Sequence, residues 1–165
     1  MLLKDRILLK MIDFESGYPG RAQHFLKVYQ FAQIIADAES MTGDARESLD
    51  VATLMHDIGI RPCEEKYGHC TGKMQEEEGP AYARAMLEEA GCDSETLIER
   101  VCWLIAHHHT YDAFEGLDYR ILIEADYLVN AYENNASREA IRSMREKIFR
   151  TDMGKHLLDT MFLPE

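Results

Sequence analysis

Nothing in the sequence is long and apolar enough to cross a membrane: its apolar runs span a few residues, against the roughly 20 that a spanning helix needs. The start, "MLLKDRILLKMIDFESG", lacks the apolar run and small-residue cleavage site of a secretory leader. Four cysteines (Cys63, Cys70, Cys92 and Cys102) include no C-x-x-C pair, so no paired-thiol zinc or redox motif is signalled. Together these absences predict a reduced, cytoplasmic protein. Basic residues are also scarce, 18 against 30 acidic ones, and the net charge of −12 would repel a nucleic-acid backbone or an anionic membrane. Polymeric DNA or RNA and membranes are therefore not expected partners. A small anionic substrate is still compatible, because it needs only a local basic cluster.

Alternating β-branched stretches are few, and apolar residues recur instead at three- and four-residue intervals. The pattern predicts an all-α protein with helices at about 2–14, 21–40, 45–57, 76–90, 94–108, 118–134, 138–149 and 152–162, with boundaries good to ~2–4 residues. The four prolines (Pro19, Pro62, Pro80 and Pro164) fall near segment ends, "GYPG" and "TGD" separate the first three helices, and Asp93 or Ser94 and Ser137 are candidate N-caps. With 165 residues, 46% of them hydrophobic, the chain suits one well-packed core. A single domain over 1–165 is the expectation. Residues 58–75, "IGIRPCEEKYGHCTGKMQ", carry three glycines and a proline without a clear period and read as a long, functional loop.

The informative residues are polar ones on apolar faces. His24 heads the stripe Val28, Phe31 and Ile35; His56 follows Leu49 and Ala52 on an inward stripe; Asp126 lies between Leu122 and Val129. Asp57 sits beside His56 in "ATLMHDIGI". A lone histidine on an apolar face is most often a hydrogen-bonded core residue. Asp57 alone would suit a helix end. Four such placements are harder to assign separately, since a buried carboxylate is costly unless paired or bound to a metal. One divalent cation satisfies them all, and a His/His/Asp/Asp set suits Mn, Fe, Co or Zn better than a hard all-oxygen site, with Mg a further candidate.

The order His24, then His56-Asp57, then Asp126 on successive helices resembles the HD-domain superfamily of metal-dependent phosphohydrolases. "HDIG" is a frequent form of that family's namesake dipeptide, and "EADYLVN" is similar to its final "AD" helix. The resemblance covers about 21–132, leaving the first helix and a C-terminal helical extension, 133–165, outside it. It implies an HD-type helical bundle in which His24, His56, Asp57 and Asp126 hold one metal. Members with a second metal carry further histidines. Here "IAHHHTYD" supplies His107, His108 and His109, while Gln75 stands where the family has a histidine; about one tightly held metal per chain is expected.

The implied chemistry is attack of a metal-activated water on a small phosphoester, most plausibly a nucleotide or dinucleotide. Asp57 would orient that water. His108, with His107 second, would assist the phosphate, since successive helical positions turn by about 100° and three adjacent imidazoles cannot all face one way. Lys27, Arg61 and Lys73 are the candidate substrate-binding cations, with Arg21 and Lys66 nearby, although each is individually more often a solvated charge. Two rivals remain open: a ligand-binding or regulatory module that keeps its metal without turnover, and a di-iron oxygenase on the same fold.

Overall fold

The structure, a computed structural model, describes residues 1–112 and 115–164, and among these it contains nine helices and no strand. They are α1 (Leu3–Phe14), α2 (Pro19–Ala38), α3 (Gly43–Met55), α4 (Ile60–Tyr67), α5 (Gly72–Glu89), α6 (Glu95–His107), α7 (Leu117–Glu133), α8 (Arg138–Lys147) and α9 (Asp152–Phe162). Serine and threonine hydroxyls start four of them: Thr71, Ser94, Ser137 and Thr151 accept from the backbone N–H three residues on.

The segment expected to be a long loop contains α4, and α5 begins at Gly72 rather than near residue 76. The reason lies in where the breakers stand. Gly59 precedes α4, Pro62 occupies its first turn, where a missing N–H is harmless, and Gly68 closes it at φ +73°. Pro80, expected near a segment end, lies inside α5 because that helix starts earlier.

Helix α3 is the axis of the bundle. It packs against α1, α2, α6 and α7, and every residue from Ser48 to Met55 is buried, so no side of its second half faces water. The paired helices α2 and α7 cover one side of it and α6, backed by α5, covers another. A helix surrounded in this way delivers its last residues into the interior, and His56 and Asp57 come directly after it. The C-terminal helices are tied to α7 through the buried Glu124, which accepts from the backbone N–H of Arg150 at 2.7 Å and of Thr151 at 3.1 Å, next to the start of α9.

Close backbone approach fixes the turn after Asp57. A Cβ on Gly59 would meet Gln75 O at 2.7 Å and Gly79 N at 3.1 Å; one on Gly79 would meet the Ile105 side chain at 2.7 Å. Gly59 has ordinary right-handed angles, so its role is to leave space. Gly59→Ala is expected to destabilise the protein by about 1–3 kcal/mol through overpacking. Gly20→Ala, at a helical position with nothing within 4 Å, is expected to be neutral or to gain about 0.4–1 kcal/mol. Urea denaturation of the two variants checks the contrast.

Candidate metal centre

Five helices or their ends meet around Asp57. His24 comes from the second turn of α2, His56 and Asp57 from the end of α3, His108 and His109 from the end of α6, Asp126 from the middle of α7, and Gln75 and Glu76 from α5. His24 Nε2 lies 3.2 Å from His56 Nε2, 3.1 Å from Asp126 Oδ1 and 3.4 Å from Asp57 Oδ2. His56 Nε2 is 3.3 Å from Asp126 Oδ1 and 3.4 Å from Asp57 Oδ2. Ligand atoms about 2.1 Å from a common cation sit about 3.0–3.4 Å from one another, so these separations are those of a coordination shell.

The outer nitrogens determine which atoms face inward. His56 Nδ1 donates to Thr53 O at 2.9 Å and His108 Nδ1 to Ile105 O at 2.7 Å; a carbonyl only accepts, so each Nδ1 carries the hydrogen. His24 Nδ1 donates to Glu133 Oε2 at 2.7 Å. The neutral form of each ring therefore turns an Nε2 lone pair toward the centre, the arrangement that metal-binding histidines need. His108 Nε2 makes this plainest. It is fully buried, has no hydrogen-bond partner among the described residues, and lies 3.6 Å from Asp57 Oδ1. A buried acceptor without a donor is rare unless something binds there. The residues present thus fit a divalent cation.

Electrostatics agrees. Burial pushes the Asp57 and Asp126 carboxyls up, but the surrounding histidines outweigh it and hold both below the usual carboxylate range, Asp57 far below. Burial likewise pushes His24 and His56 down, and the two aspartates reverse it, raising both. The centre therefore demands positive charge. Asn130 Nδ2 donates at 2.9 Å to Asp126 Oδ1, the same oxygen that faces His24 and His56, and so holds that carboxylate in position.

Two groups of ligand atoms each lie within 4.8 Å of one another: His24, His56 and Asp57, and a second group, Asp57, His108 and His109. His107 is the expected second histidine beside His108, but in the structure it is His109 that joins His108 next to Asp57. His107 stacks on Trp103, ring centroids 4.2 Å apart, with its Nδ1 donating to Trp103 O at 2.7 Å. Helix α6 stops at His107, so the 100° rule does not extend to the next two residues, and His108 and His109 are free to turn to the same side. His109 Nε2 donates to Gln75 Oε1 at 3.1 Å, its backbone N–H donates to Glu76 at 2.9 Å, and its ring fills the space left by Gly72. Burial and the adjacent His108 push its pKa down to about 4, so it is neutral near pH 7.

A cleft of about 380 Å³ opens over the centre, lined by Gly20, Arg21, His24, Asp57, Ile60, Asn130 and Glu133. Lys27, Arg61 and Lys73 are not among its lining residues. Lys27 pairs with Glu133 at 2.6 Å just outside it; Arg61 pairs with Glu65 at 2.9 Å and donates to Phe14 O; Lys73 is an exposed charge 3.9 Å from Glu77. Sequence reasoning misses Glu133, although it stands two turns after Asp126 on the same helix. Against the upward push of burial, Lys27 and His24 hold the Glu133 carboxyl below its usual range, which keeps it an acceptor for His24.

Alanine at His24, His56, Asp57 or Asp126 is expected to reduce bound metal to about a tenth of the wild-type content or less. Glu133→Gln, which weakens the orienting contact to His24, is expected to lower metal affinity by about 10–100-fold. Elemental analysis and competition with a chromogenic chelator check both.

Comparison with known proteins places the fold and the family. A solved structure, that of a predicted HD superfamily hydrolase from an uncultured Thermotogales bacterium, superposes with a TM-score of 0.62 over 96% of this chain and 82% of that one, at 24% identity. At that identity the likeness is one of fold. Among curated proteins none matches the chain. The family model for the HD domain matches residues 21–149, a span that contains His24, His56, Asp57, His108, His109 and Asp126, and the chain therefore belongs to the HD-domain family.

Proposed function

We propose that the protein is a metal-dependent phosphohydrolase acting on a small phosphoester, a nucleotide or dinucleotide. The observation that carries this reading is the convergence of His24, His56, Asp57 and Asp126 on one point at the floor of an open cleft. A divalent transition metal (Mn, Fe, Co or Zn, with Mg a further candidate), when bound there, supplies a water acidified enough to attack phosphorus near neutral pH and polarises a phosphoryl oxygen.

The chain's own residues supply the rest. Asp57 turns one oxygen toward His24 and His56 and the other toward His108, and its side chain is 23% exposed, so it is reached from the cleft. His108 Nε2, a free acceptor 3.6 Å from that second oxygen, is placed to take the proton of the attacking water. The cleft volume suits a small ligand rather than a polymer, in keeping with the net charge of −12. No helix among the described residues is long and apolar enough to cross a membrane, and the four free thiols fit a reducing, cytoplasmic setting.

One observation favours a second reading, a two-metal centre: Asp57 is shared by both donor groups. Against it, His109 Nε2 is engaged by Gln75. We expect about one tightly held metal per chain and a weaker second position. Two tight equivalents in elemental analysis would restore the di-iron oxygenase as a rival.

Protein confirmed to carry metal is expected to release phosphate from members of a nucleotide and phosphoester panel, to stop when a chelator is added, and to recover with Mn, Co or Fe(II). His108→Gln is expected to retain most of the metal held by His24, His56, Asp57 and Asp126 while kcat falls about 10²–10⁴-fold. No phosphate release from any compound by metal-loaded protein would leave the non-catalytic, ligand-binding reading standing.

A further inference from the structure

Among the described residues that line the cleft there is one arginine, and the way it is held bears on where an anionic group would bind. Arg21 stands one turn before His24 on α2 and lines the cleft with His24 and Asp57. Its guanidinium is fixed on one edge by Glu15, whose side chain is 2% exposed, at 3.1 Å, and it stacks over the Tyr18 ring at 4.3 Å. The Glu15 contact belongs to the packed interior, and the Tyr18 ring, itself exposed, backs the planar group from the other side, so the guanidinium is oriented before any ligand arrives. The remaining edge is different. Nη2 donates at 2.5 Å to Glu64 of α4, whose side chain is 43% exposed.

An exposed carboxylate on a rigidly held guanidinium presents the same two-oxygen, negatively charged face as a phosphate. Such a surface pair is worth only about 0.2–1 kcal/mol, so a phosphate can displace it at small cost, whereas the buried pair with Glu15 stays in place. Other cations near the cleft do not offer this combination: Lys27 is paired with Glu133, which itself holds His24, and Arg61 is turned to Glu65 and Phe14. The start of α2 at Pro19 and Gly20 adds a favourable dipole beside Arg21, and Gly20 leaves the approach open, with nothing within 4 Å of its Cβ position.

We infer that Arg21 is the substrate-anchoring residue of the cleft, binding the phosphoryl group of a phosphoester in the place that Glu64 occupies in its absence. This inference rests on the phosphohydrolase reading for the identity of the ligand, and it is tested by binding rather than by turnover so that the two fail separately.

The probe is inorganic phosphate, titrated by calorimetry into Mn-loaded wild type and variants whose metal content and melting temperature have been measured. Glu64→Gln removes the competitor and is expected to tighten phosphate by about two- to fivefold. Glu65→Gln removes the same charge from the same helix without touching Arg21 and is expected to change nothing. Arg21→Gln is expected to weaken phosphate about 10–100-fold, and Arg21→Lys, which keeps the charge but loses the fork, to recover only part of it. In the Arg21→Gln background, Glu64→Gln should bring no gain. Equal affinities of wild type and Glu64→Gln, an equal gain from Glu65→Gln, a gain that persists without Arg21, or no phosphate binding by any metal-loaded protein would each overturn the assignment. If Arg21→Gln fails to fold, the Glu64 and Glu65 variants alone decide it. Absence of phosphoester turnover alongside the expected binding pattern would instead count against hydrolysis and leave the anion site standing.

Discussion

Two ionised carboxylates close together inside a protein repel one another and lose the water that would stabilise them, and the rest of this structure depends on relieving that conflict. Asp126 is almost wholly buried and Asp57 is reached only from the cleft, yet both are held below the usual carboxylate range. The relief is positive charge at one point, supplied by protons on His24 and His56 or by a cation that replaces them. A cation relieves the conflict more completely, because it accepts the lone pairs of the imidazoles as well as those of the carboxylates. Everything around the point then serves to keep lone pairs aimed inward. Thr53 O, Ile105 O and Glu133 each fix an Nδ1 hydrogen, and the apolar stripes of α2, α3, α6 and α7 fix the backbones that carry the rings.

An acidic surface around such a centre is a selective arrangement rather than a contradiction. At physiological ionic strength the field of exposed charges decays over about 8 Å, so the net charge of the molecule governs approach at long range while the occupied centre governs binding at contact. Cations at and beside the cleft are matched by carboxylates, Arg21 with Glu15 and Glu64, Lys27 with Glu133. A long polyanion meets repulsion along its whole length. A small phosphoester of the kind proposed would meet it only briefly and would have one weakly held carboxylate, Glu64, to displace.

The parts of this arrangement legible in the sequence are those written in helical periodicity. His24, His56 and Asp126 stand on long helices whose apolar stripes declare an inward face, and the three placements are therefore readable together with the all-α fold. Ser94 and Ser137 as N-caps are legible for the same reason, since a hydroxyl before an apolar period has one common use. Periodicity stops at helix ends, and there the sequence says less. His109 lies beyond the end of α6, where backbone direction is set by the turn and by Gln75 and Glu76 on a different helix. Helix α4 is eight residues long, too short to show a period, and its glycines mark its two ends rather than a loop. Arg21 and Lys27 sit symmetrically about His24 in sequence; only the positions of Glu15, Glu64 and Glu133 in space separate the cation proposed to anchor substrate from the one paired with the carboxylate that holds His24.

The short segment after Asp57 joins the two halves of the centre. His24, His56 and Asp126 belong to α2, α3 and α7, while His108, His109, Gln75 and Glu76 belong to α6 and α5, and Asp57 faces both sets. Gly59 is packed so tightly on the backbone of Gln75 that α5 cannot slide without moving the residues next to Asp57. Closely packed interiors transmit such displacements instead of absorbing them. Helix α4 begins at the next residue and carries Glu64 to Arg21, so the carboxylate that meets this cleft-lining arginine is placed by the same turn that places Asp57. One short stretch, from His56 to Ile60, thereby sets the spacing within the candidate metal centre and, through α4, the distance from it to the Arg21–Glu64 pair.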